Sequence, residues 1–118
     1  MADAGLFIGW GQVARGREGR ALDVFNETVE LYGQMQSEGR IESFEVCLLE
    51  PHGGELAGFE LLRGSEAQID AVHRAEDFQH LITKAALVVD DLGVVEAALG
   101  EGLGRTMAIY QEEIAVVT

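Results

Sequence analysis

The chain has 118 residues, with 21 acids against 8 bases and a net charge of −13. That balance excludes a broad basic surface for nucleic acid or an anionic membrane. A hydrophobic fraction of 47% is that of a folded protein, and at this length one domain over residues 1–118 burying roughly two thirds of its unfolded surface is expected. The single cysteine, Cys47, leaves no intrachain disulfide to form. It reads as a small core residue in a strand rather than a nucleophile. No apolar run is long enough to span a bilayer, and the N-terminus lacks the basic and apolar regions of a signal peptide. The expected location is cytoplasmic.

Leu6 to Ala14 reads as the first strand. Leu6, Ile8, Trp10 and Gln12 face one way, Phe7, Gly9, Gly11 and Val13 the other. Gly9-Trp10-Gly11-Gln12-Val13-Ala14 matches G-x-G-x-x-A, one form of the dinucleotide-binding fingerprint. Its context is wrong, because Gly16 and Gly19 would fall in the first turns of the helix that must follow, and no series of parallel β-α units comes after it. Arg15 to Arg20 is a glycine-broken basic turn. Arg15, Arg17 and Arg20 stand where a helix begins and backbone N–H groups can hold an anion, which makes them candidate anion-binding residues. The alternative is a solvated loop, or salt bridges to the many acids.

A long helix is expected from between Arg17 and Arg20 to about Glu38. Its apolar stripe is Leu22, Phe25, Val29, Tyr32 and Met35, and Gly39 is its stop. A β-hairpin follows, with arms Ile41 to Glu50 and Leu56 to Arg63 around the turn residues Pro51 to Glu55. Phe44, Val46 and Leu48 share one face of the first arm; Glu45, Cys47 and Leu49 share the other. Both faces are at least half apolar, so both are expected to be covered, the second by another subunit.

Ser65 and Gln68 form a capping box for a second helical region. Ile69 and Val72 make one stripe; Phe78, Leu81, Ile82 and Ala85 make another. The two do not join through Arg74-Ala75-Glu76, so a bend or two short helices are expected. Ala86 to Glu96 reads as the fourth strand, interrupted at Asp90-Asp91 and Gly93. Residues 97–118 read as a helical extension striped by Leu99, Leu103, Met107, Tyr110 and Ile114. Gly100, Gly102 and Gly104 weaken its start by roughly 1 kcal/mol each relative to alanine, which places the first regular turn near Arg105.

The order β-α-β-β-α-β plus a C-terminal helix is the split βαβ, ferredoxin-like pattern of an α+β protein. Together with Ala75-Glu76-Asp77-Phe78-Gln79-His80-Leu81, a broken second helix ahead of the last strand, it resembles the dimeric α+β barrel superfamily. The resemblance covers nearly the whole chain and is architectural. It implies a homodimer in which two sheets pack face to face. The superfamily includes cofactor-independent monooxygenases, haem-degrading enzymes, dehalogenating or isomerising enzymes and small-molecule sensors. No full catalytic set from any of these maps onto the chain.

If helices cover the faces carrying Phe44/Val46, Phe59/Leu61 and Phe7/Val13, the face turned to the partner carries Trp10, Gln12, Glu45, Cys47 and Glu60. Those residues would line an apolar cavity with a few polar groups, the recipe for a small-molecule site. A desolvated Glu45 or Glu60 would act as general acid or base. Trp10 would stack on a small apolar or aromatic ligand, with Gln12 and Cys47 beside it. The competing reading is a glutamate at the rim, solvated or paired to Arg63. No cofactor and no metal are expected. His73/Asp77 and Glu76/His80 are spaced to pair on a helix, but His73 and His80 would lie about 10 Å apart along it, too far to share a metal. None of the three histidines lies on a strand facing the cavity to serve as a haem ligand. The leading function is binding of a small molecule, with monooxygenase- or isomerase-like chemistry. The alternative is a non-catalytic dimerisation or ligand-sensing module, whose interface would be filled by side chains.

Overall fold

The computed structural model describes residues 2–117. Its elements are β1 (Ala4–Trp10), α1 (Glu18–Ser37), β2 (Ser43–Leu48), β3 (Gly58–Gly64), α2 (Glu66–Arg74), α3 (Glu76–Ala86), β4 (Gly93–Ala98) and α4 (Gly100–Val117). The strands form one antiparallel sheet in the order β2-β3-β1-β4. The first and third strands are central, as the ferredoxin-like order requires. Among the described residues no helix is long and apolar enough to cross a membrane.

The ladder decides which side chains share a face. Leu6 stands opposite Leu62 and Glu96, Ile8 opposite Glu60 and Val94, and Phe44 opposite Leu62. Leu6, Ile8 and Leu62 are buried in one core with Tyr32 and Met35 of α1, Ile69 and Val72 of α2, and Phe78 and Leu81 of α3. This is the helix-covered face. Phe7, Phe59, Leu61 and Val95 fall on the other face, with Glu45 and Cys47. The expectation is therefore half corrected. Phe44 and Val46 do face the helices, but Phe7, Phe59 and Leu61 do not. Adjacent residues of β1 and β3 are apolar on both sides, so their alternation carries no signal of which side is in, and only the register supplies it.

The stripe of α1 is also shifted. Its buried residues are Val24, Thr28, Tyr32 and Met35, while Leu22 is 60% exposed. Thr28 escapes a hydrophobic pattern, yet it is buried at little cost because its hydroxyl donates to the Val24 carbonyl at 2.8 Å. The helix stops as expected at Gly39, whose φ is +77°, and Arg40 N–H closes back on the Met35 carbonyl at 2.8 Å.

The second helical region breaks in two at Ala75, which is extended (φ −67°, ψ 140°). The Ser65–Gln68 capping box is formed in both directions. The expected fourth strand divides: α3 runs to Ala86, Val89 bridges Val13, and β4 begins only at Gly93. Asp91 between them has φ +56°. α4 starts at Gly100 rather than near Arg105. Its glycines answer to tertiary contact there: a Cβ on Gly100 would meet the Ala2 carbonyl at 2.8 Å, and one on Gly102 would strike the Asp3 carbonyl. Arg105 reaches the same segment, donating to the Asp3 carboxylate at 3.1 Å. The expected stripe of α4 is left open: Leu103 beside that anchor, and Met107, Tyr110 and Ile114 beyond it, are exposed.

Candidate functional site

A cavity of about 360 Å³ lies between α1, α3, the segment after α3 and the helix-covered side of the sheet. Trp10, at the end of β1, and Phe25, on α1, stand edge-to-face on its wall with centroids 6.4 Å apart. Leu48, Val89 and Leu92 extend the apolar lining. Its polar side chains are Glu18, Thr28, Tyr32 and Glu60.

Glu60 is the chemically distinctive member. It sits mid-strand in β3, opposite Ile8 and Val46, and is 4% exposed. The Tyr32 hydroxyl donates to its Oε1 at 2.9 Å. Burial pushes the Glu60 carboxyl up to about 7, against the opposing pull of that hydrogen bond. Burial also raises the Tyr32 hydroxyl, and the neighbouring Glu60 charge and hydrogen bond raise it further. Tyr32 therefore stays protonated and acts as a fixed donor. The raised carboxyl of Glu60 falls in the range that suits a general acid or base.

The residues singled out from sequence separate into three places. Trp10 and Glu60 share the cavity. Glu45 and Cys47 project from β2 on the opposite face of the sheet, where Glu45 Oε1 is 2.7 Å from Arg63 and Cys47 lies across from Phe59. The sheet itself thus divides the expected constellation. Gln12 is exposed just beyond β1, with its carbonyl accepting from Asp90 N–H. Arg15 and Arg20 are exposed. Arg17 is the N-cap residue of α1 and donates to the Leu87 carbonyl at 2.9 Å. A carboxylate already stands at that helix start: Glu18 accepts the Gly16 N–H at 3.3 Å.

Of the paired side chains expected on the broken helix, Glu76 and His80 approach to 3.7 Å. His73 and Asp77 do not pair. The break at Ala75 takes them apart, and His73 meets Glu96 at 3.0 Å while Arg40 clasps Asp77 through two bonds of 2.8 and 3.0 Å. Among the described residues no group of three or more His, Cys, Asp or Glu is arranged to hold a metal. His52 is exposed, yet it ties its own loop, bonding the Leu56 carbonyl at 2.8 Å and the Gly54 N–H at 3.2 Å.

Sequence reasoning missed Tyr32 as a residue of the candidate site, having taken it for part of an apolar stripe. A usable signal was present. A tyrosine inside a buried stripe needs a partner for its hydroxyl, and a glutamate inside an apolar strand needs a donor. Each is the other's solution.

No protein-family model matches the chain, and no curated protein matches it. Solved structures do share its fold. A dimeric ferredoxin-like protein of unknown function from Jannaschia sp. CCS1 superposes with a TM-score of 0.63 at 12% identity, over 81% of this chain and 99% of that one. NE2512, of unknown function, from Nitrosomonas europaea gives 0.60 at 17% identity, over 84% and 90%. SnoaB, a cofactor-independent oxygenase from Streptomyces nogalater, gives 0.55 at 14% identity, over 84% and 95%. The subunit fold is thus that of the dimeric ferredoxin-like proteins, in agreement with the resemblance drawn from the sequence.

Proposed function

We propose that this chain binds a small, mostly apolar molecule in the cavity under α1 and exchanges a proton with it through Glu60. One observation carries the reading: a carboxyl that titrates near 7 forms part of the wall of an otherwise apolar cavity, held by a protonated tyrosine. A structural glutamate needs no cavity beside it, and a cavity that only stores an apolar ligand needs no carboxyl. In the ionised state Glu60 takes a proton from a weakly acidic C–H or O–H of the bound molecule. Returned to another carbon, that proton completes an isomerisation. If the deprotonated molecule instead gives its electrons to O₂, the result is cofactor-independent oxygenation, the class to which SnoaB belongs. Trp10 and Phe25 hold the ligand by its apolar body.

We further infer a homodimer through the open sheet face. Phe7 and Phe59 stack there with centroids 5.3 Å apart, and Val95 is 57% exposed. A contiguous apolar face of this kind marks an interface, and the Jannaschia protein of the same fold is described as dimeric. The cavity lies on the other side of the sheet, so it is complete within one chain and does not wait for the partner.

The test is native mass spectrometry of gently purified protein, comparing native with denaturing spectra. A dimer carrying a small additional mass that is lost in Ala21→Phe, which fills the cavity from α1, supports the reading and identifies the ligand class. A mass retained at full occupancy in Ala21→Phe removes the ligand from this cavity.

A further inference from the structure

We propose that the cavity selects apolar organic cations, aryl- or alkylamines whose ammonium group pairs with Glu60. The inference rests on the small-molecule reading of the cavity and adds the charge of what enters it.

The argument begins with what the lining lacks. Among its residues there is no lysine, arginine or histidine; its two ionisable carboxyls, Glu18 and Glu60, are both acids. Its two hydroxyl hydrogens are already committed inside the protein. Tyr32 donates to Glu60 at 2.9 Å and Thr28 to the Val24 carbonyl at 2.8 Å. Apart from the indole of Trp10, and with Glu60 ionised, the polar groups lining the cavity therefore offer acceptors only. An anionic ligand would meet two carboxylates and almost no donor.

Glu60 itself has an unfilled requirement. The influences on its titration are burial and the Tyr32 hydrogen bond, with no contribution from any cation among the described residues. A buried carboxylate without a positive partner is costly, and pairing removes that cost. The groups facing it are Tyr32 and Thr28 from α1, with Glu18 nearer the start of that helix; α3 and the segment after it contribute only leucine, isoleucine, alanine and valine. An ammonium ion supplies the missing charge and up to three donors. Trp10 and Phe25 add ring systems that attract cations. At longer range the net charge of −13 draws cations toward the protein and repels anions.

The proton balance is simple. An ammonium ion enters against ionised Glu60. Alternatively, a neutral amine meets protonated Glu60, the carboxyl O–H bond breaks, and an N–H bond forms. Both routes end in the same ammonium–carboxylate pair. This assignment also separates the cavity from the arginines before α1: Arg15 and Arg20 are exposed and Arg17 is engaged at the Leu87 carbonyl, so none of them lines it.

Trp10 is the only tryptophan in the chain and it lines the cavity, so its fluorescence reports occupancy. The experiment titrates the full chain at pH 8 with 4-phenylbutylamine, 4-phenylbutanol and 4-phenylbutanoate, three probes with one apolar body and different charge. The amine is expected to bind at least about tenfold more tightly than the alcohol, as a charge-assisted hydrogen bond should give, and the carboxylate more weakly than either. Between pH 5.5 and 8 the amine's affinity should rise in the wild type and stay flat in Glu60→Gln. That variant should bring the amine to the level of the alcohol. Tyr32→Phe, which keeps the carboxyl, should retain the preference. Equal binding of amine and alcohol, or tightest binding of the carboxylate, overturns the cation assignment while leaving the cavity as a small-molecule site. If no probe changes Trp10 emission or raises the melting temperature, the cavity reading falls with it. The wild-type comparison decides the question even if a variant fails to fold.

Discussion

Two glutamates on adjacent strands, Glu45 and Glu60, stand on opposite faces of the sheet and live in different chemistry. Glu45 of β2 is on the open face, beside Arg63 at 2.7 Å and half exposed in the single chain. Glu60 of β3 is on the helix-covered face, with Tyr32 as its donor and no cation at hand. Residue type does not separate them, although β2 is an edge strand and β3 a central one. The difference is the layer laid over each side, and it teaches that solvent and counter-charge, not the carboxyl itself, make one of them a candidate acid–base group.

The comparison can be broken most forcefully in the core. Leu62 and Leu61 are neighbours on β3 that point to opposite faces. Leu62 is fully buried, so Leu62→Ala should cost about 2–5 kcal/mol, measured by urea denaturation. Leu61→Ala should cost less than half as much and should act chiefly on dimer dissociation, seen by size-exclusion chromatography at falling concentration. Equal losses of monomer stability would erase the distinction between the faces.

Next comes the pH dependence of folding. Between the ordinary carboxyl value of 4.5 and about 7, folded Glu60 keeps a proton that the unfolded chain has released. Its contribution to stability is therefore full below about 4.5, declines as pH rises through that window, and is lost above about 7. The decline should be on the order of 3 kcal/mol, absent in Glu60→Gln and unchanged in Glu45→Gln. The measurement is chemical denaturation at pH 5 and pH 8 for all three proteins.

The smallest effect belongs to the open face. Exchanging Glu45 and Arg63 in a double variant should leave monomer stability within roughly 1 kcal/mol of wild type, as expected for an exposed ion pair. A marked weakening of the dimer, seen as dissociation at higher protein concentration than wild type, would mean the pair is buried by the partner, and would sharpen the case for the sheet-face dimer.

Local structure was legible where local chemistry decides it. Gly39 stops α1 because the chain needs a positive φ there. Ser65 and Gln68 cap α2 through mutual hydrogen bonds within four residues, and the break at Ala75 follows from two apolar stripes out of phase. The site was half legible. Trp10 and Glu60 were picked out, but they were grouped with Glu45 and Cys47, and Tyr32 was absorbed into a hydrophobic pattern. Thr28 and Leu22 show the same limit from the other side: one polar residue is buried by bonding its own helix, and one apolar residue is left in water.

The order of elements, the ferredoxin-like topology and the helix boundaries set by Gly39, Ser65 and Ala75 follow from the chain alone, because periodicity, caps and breakers act over a few residues. Which face of each strand is covered, where α4 begins, and which glutamate is dry were decided only by tertiary structure. Those outcomes depend on the register between strands and on backbone from the other end of the chain meeting Gly100 and Gly102. No short-range pattern encodes a contact between residues so far apart in sequence.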